Sequence, residues 1–191
     1  MWVNAHPVPR FYPNAVTLAH DDAAIAEQRS TLEILLKSNL PGRWSVKDSF
    51  NALDLSRRGF DVLFDAQWIR QLPLLIARTS SGLAWERMTE SDAFPAALFD
   101  DENFAMFAGR RDGAIVAGGT LYKAEGVVGL SNVVAEPNDA VPVFRDLASL
   151  AANTFPGLPL VGYESGDELK AATNAGFEPG DKLRIWVRER E

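Results

Sequence analysis

The chain has 191 residues, with a hydrophobic fraction of 47%, a charged fraction of 24% and a formal net charge of −7. These proportions exclude disorder of the whole chain, and an acidic balance with no dense basic stripe lacks the electrostatic footprint of a nucleic-acid binder. Cysteine is absent and only His6 and His20 offer imidazole, which excludes disulfides, a thiolate nucleophile and Cys- or His-rich metal sites, so no metal is expected.

Residues 1–14, with Pro7, Pro9 and Pro13, read as an extended arm whose aromatics Trp2, Phe11 and Tyr12 pack onto the body. Ala15 to Ala19 is a short strand. Asp21-Asp22 caps a helix running to about Ser38, with Ile25, Leu32 and Leu36 on one face. Leu40-Pro41-Gly42 ends it. Trp44 to Lys47 alternates as a strand. Asp48 and Ser49 predict a capped helix through Arg58, stopped by Gly59, whose missing Cβ suits a left-handed terminal position. Phe60 to Ile69 follows as a strand.

Leu75 to Arg78 is a further strand candidate, and Ser80-Ser81-Gly82 leads into a predicted helix holding Leu83, Trp85 and Met88. Three strands come next: Phe104 to Ala108, Ala114 to Tyr122 and Val127 to Ala135. Asp112-Gly113 and Glu125-Gly126 between them are hairpin signals. Gly118-Gly119 inside the second predicts a bulge. Val143 to Thr154 is a helix with Val143, Leu147, Leu150 and Ala151 on one face. Phe155-Pro156-Gly157 ends it. Leu160 to Tyr163 is a strand, Asp167 to Ala175 a helix stopped by Gly176, and Lys182 to Arg188 a strand.

No apolar stretch approaches the roughly 18 residues of a membrane span, and no export signal is visible, so no membrane partner and a cytoplasmic address are expected. Serine-hydrolase, nucleotide-hydrolase and zinc-protease motifs are all absent.

The chain repeats itself in outline. Helix, Leu40-Pro41-Gly42, strand, helix, Gly59-Phe60 and a strand with Trp68 are matched by helix, Phe155-Pro156-Gly157, strand, helix, Gly176-Phe177 and a strand with Trp186. Near-equal offsets in an unchanged element order point to duplication of a half-domain.

The element order from about Leu74 to Arg188 resembles the GNAT (Gcn5-related) N-acetyltransferases. The segments Gly113 to Tyr122 and Leu130 to Ala135 look like the two central strands of that family. Asn174-Ala-Gly-Phe177, followed by an apolar strand, looks like its C-terminal signature. The resemblance implies an α/β fold (α+β in some schemes), a GNAT-like mixed central sheet flanked by helices. Residues 15–72 would form a partial N-terminal copy and 73–191 the full domain. The partial copy would pack against the second copy or a partner subunit, a homodimer being one such arrangement.

The resemblance also implies acetyl-CoA or another acyl-CoA as co-substrate and a small-molecule amine as acceptor. In this family the start of the long helix cradles the CoA diphosphate with backbone N–H groups, where unpaired amides and the helix dipole favour an anion. Asp139 and Ala140 fall at that turn, with Arg145 or Lys170 as cations in reserve. Glu136-Pro-Asn-Asp-Ala-Val-Pro departs from the family's glycine-bearing motif: it has no glycine, two prolines without N–H and two acids. Asn132, Val133 and Val134 lie on the strand that receives the thioester arm. The tyrosine that often protonates the leaving thiolate is replaced by Ala172. Glu164 and Asp167, at the end of a strand, are the candidates for deprotonating the amine. Tyr163 and Trp85 are the candidates for the substrate side, while core packing is expected of most of Trp44, Trp68, Trp85 and Trp186. Two functions follow: an N-acyltransferase using acyl-CoA, or a catalytically inactive GNAT-like module that binds a ligand or protein.

Overall fold

The computed structural model describes residues 1–4, 8, 12–37, 42–73 and 81–189. The expected strand Leu75 to Arg78, the helix end at Ser38 and the Leu40-Pro41 break lie outside the described residues. The described strands are β1 (Trp2–Val3), β2 (Ala15–Val16), β3 (Trp44–Asp48), β4 (Asp61–Gln71), β5 (Ala84–Arg87), β6 (Phe104–Arg111), β7 (Ala114–Ala124), β8 (Val127–Val134), β9 (Leu160–Glu164) and β10 (Glu178–Arg188). The helices are α1 (Asp22–Lys37), α2 (Ala140–Thr154) and α3 (Gly166–Ala175). They fall into two compact units, Met1–Ala66 with Asp181–Glu191, and Gln67–Gly180.

In the unit Gln67–Gly180 the strand order is β4-β9-β8-β7-β6-β5, antiparallel except for the parallel pair β8–β9. The two expected hairpins form. Asp112 and Gly113 have φ of 52° and 83°, and Glu125 and Gly126 have φ of 50° and 77°. Left-handed pairs of this kind match the twist of the flanking strands.

The apolar stripe of α2 (Val143, Phe144, Leu147, Ala148 and Ala151) lies in one core with Leu121, Val128, Leu130, Leu160 and Ile69. Leu147 is fully buried there, and its truncation to alanine would cost about 3 kcal/mol. Helix α3 buries Ala171, Ala172 and Ala175 and stops at Gly176, with φ of 109°. The Phe177 N–H donates to the Ala172 carbonyl at 3.0 Å, closing the helix end and turning the Phe177 ring edge-on to Phe144 at 5.8 Å.

The segment expected to be a helix around Leu83, Trp85 and Met88 is instead strand β5. It pairs antiparallel with β6 from Ala84–Arg110 to Arg87–Phe107. The alternation explains the difference. Leu83 is buried and Trp85 half-buried on one face, while Ala84 and Glu86 are exposed on the other, a period of two rather than 3.6.

In the other unit the order is β1-β2-β3-β10. Part of the expected arm is therefore a strand, since Trp2 pairs with Val16 and Val3 with Ala15. Strand β2 runs parallel to β3, and β3 pairs antiparallel with residues Arg184 to Arg188 of β10. Leu32 of α1 packs with Trp44, Val46, Leu53, Leu55, Phe60 and Trp186. Buried Gln28 fastens α1 to the chain after β2. Its Oε1 accepts from the Leu18 N–H and its Nε2 donates to the Ala19 carbonyl, both at 2.9 Å.

The helix expected over Asp48 to Arg58 does not form, apart from a single 3-10 turn, Ser56–Arg58. Asp48 is fully buried, and its Oδ2 accepts the Leu53 N–H at 2.7 Å while Oδ1 faces the Thr17 hydroxyl at 3.4 Å. Asn51 takes a left-handed φ of 50°. The side chain thus holds a looped segment that carries Leu53 and Leu55 into the core, and that competes with the capped helix. Gly59, with φ of 77°, ends the short turn.

Both units contain the same trio of strands. In one, β2 is parallel to β3 and β3 antiparallel to β10. In the other, β8 is parallel to β9 and β9 antiparallel to residues Gln67 to Gln71 of β4. In each trio the third strand comes from the other half of the sequence.

Candidate functional site

The candidate site lies in the unit Gln67–Gly180, where two neighbouring parallel strands part. β8 and β9 pair at Val128–Leu160 and Gly129–Val161 and at no later residue. Past that point Gly162 of β9 lies against the Leu130 carbonyl. A Cβ built on Gly162 would stand 2.8 Å from that oxygen, so only glycine permits the approach at the start of the divergence.

On its other side, β8 slips register against β7. Gly118 faces Val134 and Thr120 faces Ser131, leaving Asn132 and Val133 of β8 opposite Gly119 of β7. This is the expected bulge, placed on β8. Asn132 adopts φ of 53°, which asparagine tolerates better than most residues. Its Nδ2 donates to Thr120 Oγ1 at 3.0 Å and to Ser131 Oγ at 3.2 Å, pinning the bulge. Leu147 of α2 fills the space that Gly119 leaves, 2.9 Å from where a Cβ would stand. Asn132 and Val134 are exposed and Val133 half-buried, so this stretch of strand is open at the parting of β8 and β9.

At the end of β9, Glu164 and Tyr163 point to opposite faces, as successive strand residues must. Tyr163 packs edge-on against Trp68 at 5.8 Å, and burial raises its phenol. Burial also pushes the Glu164 carboxyl up to about 7, with the Glu168 carboxylate adding to the shift. Asp167 is exposed and hydrogen-bonded by Lys170 Nζ at 2.8 Å, which holds its carboxyl below the usual range. The two candidate bases thus sit in different environments, and only Glu164 is tuned near neutrality. Ala172 is fully buried in the core.

The start of α2 holds the acids expected there, together with a cation that the sequence reading passed over. Pro137–Asp139 forms a 3-10 turn leading into α2. Arg111, at the end of β6, donates from Nη1 to Glu136 Oε2 at 3.2 Å and from Nη2 to Asp139 Oδ2 at 2.6 Å. The turn is therefore already occupied by its own ion pairs. Ala140 follows as the first residue of α2. Arg145 is exposed and donates to the Asn174 carbonyl at 3.0 Å, at the far end of α3. Lys170 is engaged with Asp167. The signal for Arg111 in the sequence was its place beside the Asp112-Gly113 turn, which returns β6 to β7 next to Glu136.

Trp85 is tied into the scaffold. Its Nε1 donates to Asp146 Oδ2 at 2.8 Å, and Asp146, fully buried on α2, also accepts from the Ser81 hydroxyl and, at 3.2 Å, from the Ser81 N–H. Asp146 was missed in the sequence. Its signal was an acid set between Val143 and Leu147 on an apolar helix face.

Among the described residues no group of three or more His, Asp or Glu is placed to hold a metal ion, and no helix is long and apolar enough to cross a membrane. At the β8 bulge the residues leave room for an extended arm, since β8 has no β9 partner beyond Gly129 and Asn132 and Val134 are exposed. The residues at the start of α2, where two carboxylates and a proline stand, do not fit a diphosphate.

No protein-family model matches the sequence, and no curated protein sequence matches it. Solved structures do match. A GCN5-related N-acetyltransferase from Kribbella flavida aligns with a TM-score of 0.58 at 14% identity, over 90% of this chain and 77% of that one. A putative acetyltransferase of the GNAT family from Novosphingobium aromaticivorans aligns with a TM-score of 0.54 at 12% identity, over 82% and 79%. The N-myristoyltransferase of Saccharomyces cerevisiae, solved with bound myristoyl-CoA, aligns with a TM-score of 0.58 at 10% identity, over 88% of this chain and 56% of that one. With its mixed α/β architecture, its parting parallel strands and its bulged neighbour strand, the chain has a GNAT-like fold.

Proposed function

We propose that the protein is an acyltransferase that moves an acyl group from a thioester donor, acyl-CoA being the donor the fold suggests, to a small-molecule amine. The observation that carries this reading is Glu164. It is a carboxyl raised to about 7 at the end of β9, the strand that parts from β8, and no described residue hydrogen-bonds it. A base of that strength is matched to proton transfer at neutral pH.

The amine nitrogen attacks the thioester carbonyl carbon. A C–N bond forms and the C–S bond breaks. Glu164 takes the proton that the amine loses, and the sulfur leaves as a thiolate that solvent protonates. Ala172 offers no acid to the leaving group, so catalysis rests on positioning and on the base. Asn132, Val133 and Val134 would hold the arm through backbone at the bulge, whereas Tyr163, on the opposite face of β9 from Glu164 and packed on Trp68, would not border the acceptor.

The test is release of free thiol from acetyl-CoA in the presence of a panel of small primary amines. Glu164→Gln is expected to lower kcat by about a hundredfold while leaving the fold unchanged. Transfer by Glu164→Gln at the wild-type rate overturns the reading. A second reading, a GNAT-like binding module without catalysis, is favoured by the Arg111 ion pairs across the start of α2. It predicts thioester binding with no acyl transfer to any amine in the panel.

A further inference from the structure

We infer that donor recognition in this protein is confined to the thioester arm, and that the nucleotide diphosphate of CoA adds nothing to it. The inference rests on the reading above for the place where a donor lies. It differs in assigning the substrate class: acyl thioesters on a pantetheine-like arm, with or without a nucleotide.

A diphosphate needs a run of free N–H groups with positive potential around them. At the start of α2 that run is broken and the side chains beside it are acidic. Pro137 has no N–H, and the Asp139 N–H is already spent on the Glu136 carbonyl at 2.9 Å. Glu136 and Asp139 place two negative charges where the ligand's own two would stand. The cation that answers them, Arg111, binds both through separate nitrogens. A diphosphate would have to displace both carboxylates from Arg111 and leave them facing each other and the ligand. The two cations expected in reserve are engaged elsewhere: Arg145 bonds the Asn174 carbonyl, and Lys170 is paired with Asp167.

The arm's own site does not share this defect. It is made of backbone at Asn132 to Val134 and of the space beyond Gly129 and Val161, and its shape is fixed by the Asn132 hydrogen bonds and by Gly162. Arg111, Glu136 and Asp139 therefore act as a specificity filter that removes the preference for the nucleotide without closing the groove.

The experiment is calorimetric titration of the whole protein with CoA and with reduced pantetheine, at low and moderate salt. The expected result is that both bind, with Kd values within about threefold and little change with salt. The double variant Glu136→Gln with Asp139→Asn frees Arg111 and should tighten CoA, and not pantetheine, by about tenfold. Wild-type CoA binding at least tenfold tighter than pantetheine, or weakening steeply with salt, overturns the inference. So does failure of pantetheine to bind at millimolar concentration. Equal binding without transfer to any amine leaves the inference standing and removes the catalytic reading. A strong CoA preference with transfer does the opposite.

Discussion

Trp85 gives its indole N–H to the Asp146 carboxylate over 2.8 Å, and this joins strand β5 to the middle of α2. Asp146 is fully buried and meets donors from Trp85 and Ser81. Removing it strands those donors in the core. Asp146→Ala is therefore expected to destabilise the protein by about 3 kcal/mol, and Trp85→Phe by about 1–2 kcal/mol. Urea midpoints measure both. If Trp85 instead borders the acceptor, Trp85→Phe would raise KM with the midpoint unchanged.

Glu164 yields a prediction with a definite sign. Its carboxyl is raised from the ordinary 4.5 to about 7 in the folded protein, so the folded state binds its proton more tightly than the unfolded chain does. That contribution to stability is complete below about 4.5 and is lost as pH rises through 7. Glu164→Gln removes the loss, and above pH 7 it should stabilise the protein by on the order of 2 kcal/mol while slowing transfer by about a hundredfold. Wild-type transfer should rise with pH through an apparent pKa near 7. A flat rate between pH 6 and 8 would assign the proton transfer to another group.

Lys47, at the end of β3, has the opposite sign. Burial pulls its ammonium down from 10.5 to about 8. The folded protein therefore gains stability as pH climbs from about 8 towards 10.5, and loses it as pH falls through 8. Comparing urea midpoints at pH 7 and 10, wild type should show a rise that Lys47→Gln lacks.

The parting of β8 and β9 can be tested through a single methyl group. Gly162→Ala sets a Cβ against the Leu130 backbone carbonyl, which cannot turn aside, whereas Gly119→Ala meets the end of the flexible Leu147 side chain. The first substitution should cost about 2–3 kcal/mol and the second about 1 kcal/mol in chemical denaturation. Equal costs would show that the strands yield at Gly162.

What the sequence revealed was local. The turns Asp112-Gly113 and Glu125-Gly126, the Asp21 cap of α1, the Gly176 stop of α3 and the stripe of α2 are decided by neighbours a few residues away, and they form as expected. The segments 48–58 and 83–88 misled because their local signals are outweighed by distant partners. Asp48 spends its carboxylate on Leu53 and faces Thr17, and Leu83 and Trp85 answer to β6 and α2. At the candidate site, Glu164 and Asn132 were legible from their place in the element order. Arg111 was not, because its role depends on a hairpin bringing it beside residues 25 and 28 positions away. The exchange of third strands between the two trios was invisible for the same reason.

The place of β10 has a bearing on synthesis. Residues Arg184 to Arg188 pair with β3, and Trp186 fills the core around Leu32, Trp44 and Phe60. When a ribosome has made the first seventy residues, that core still lacks its indole and its sheet still lacks a strand. It waits for more than a hundred residues of further translation. During that interval β3 offers an open edge and Trp44 an uncovered face, the features that attract chaperones and neighbouring nascent chains.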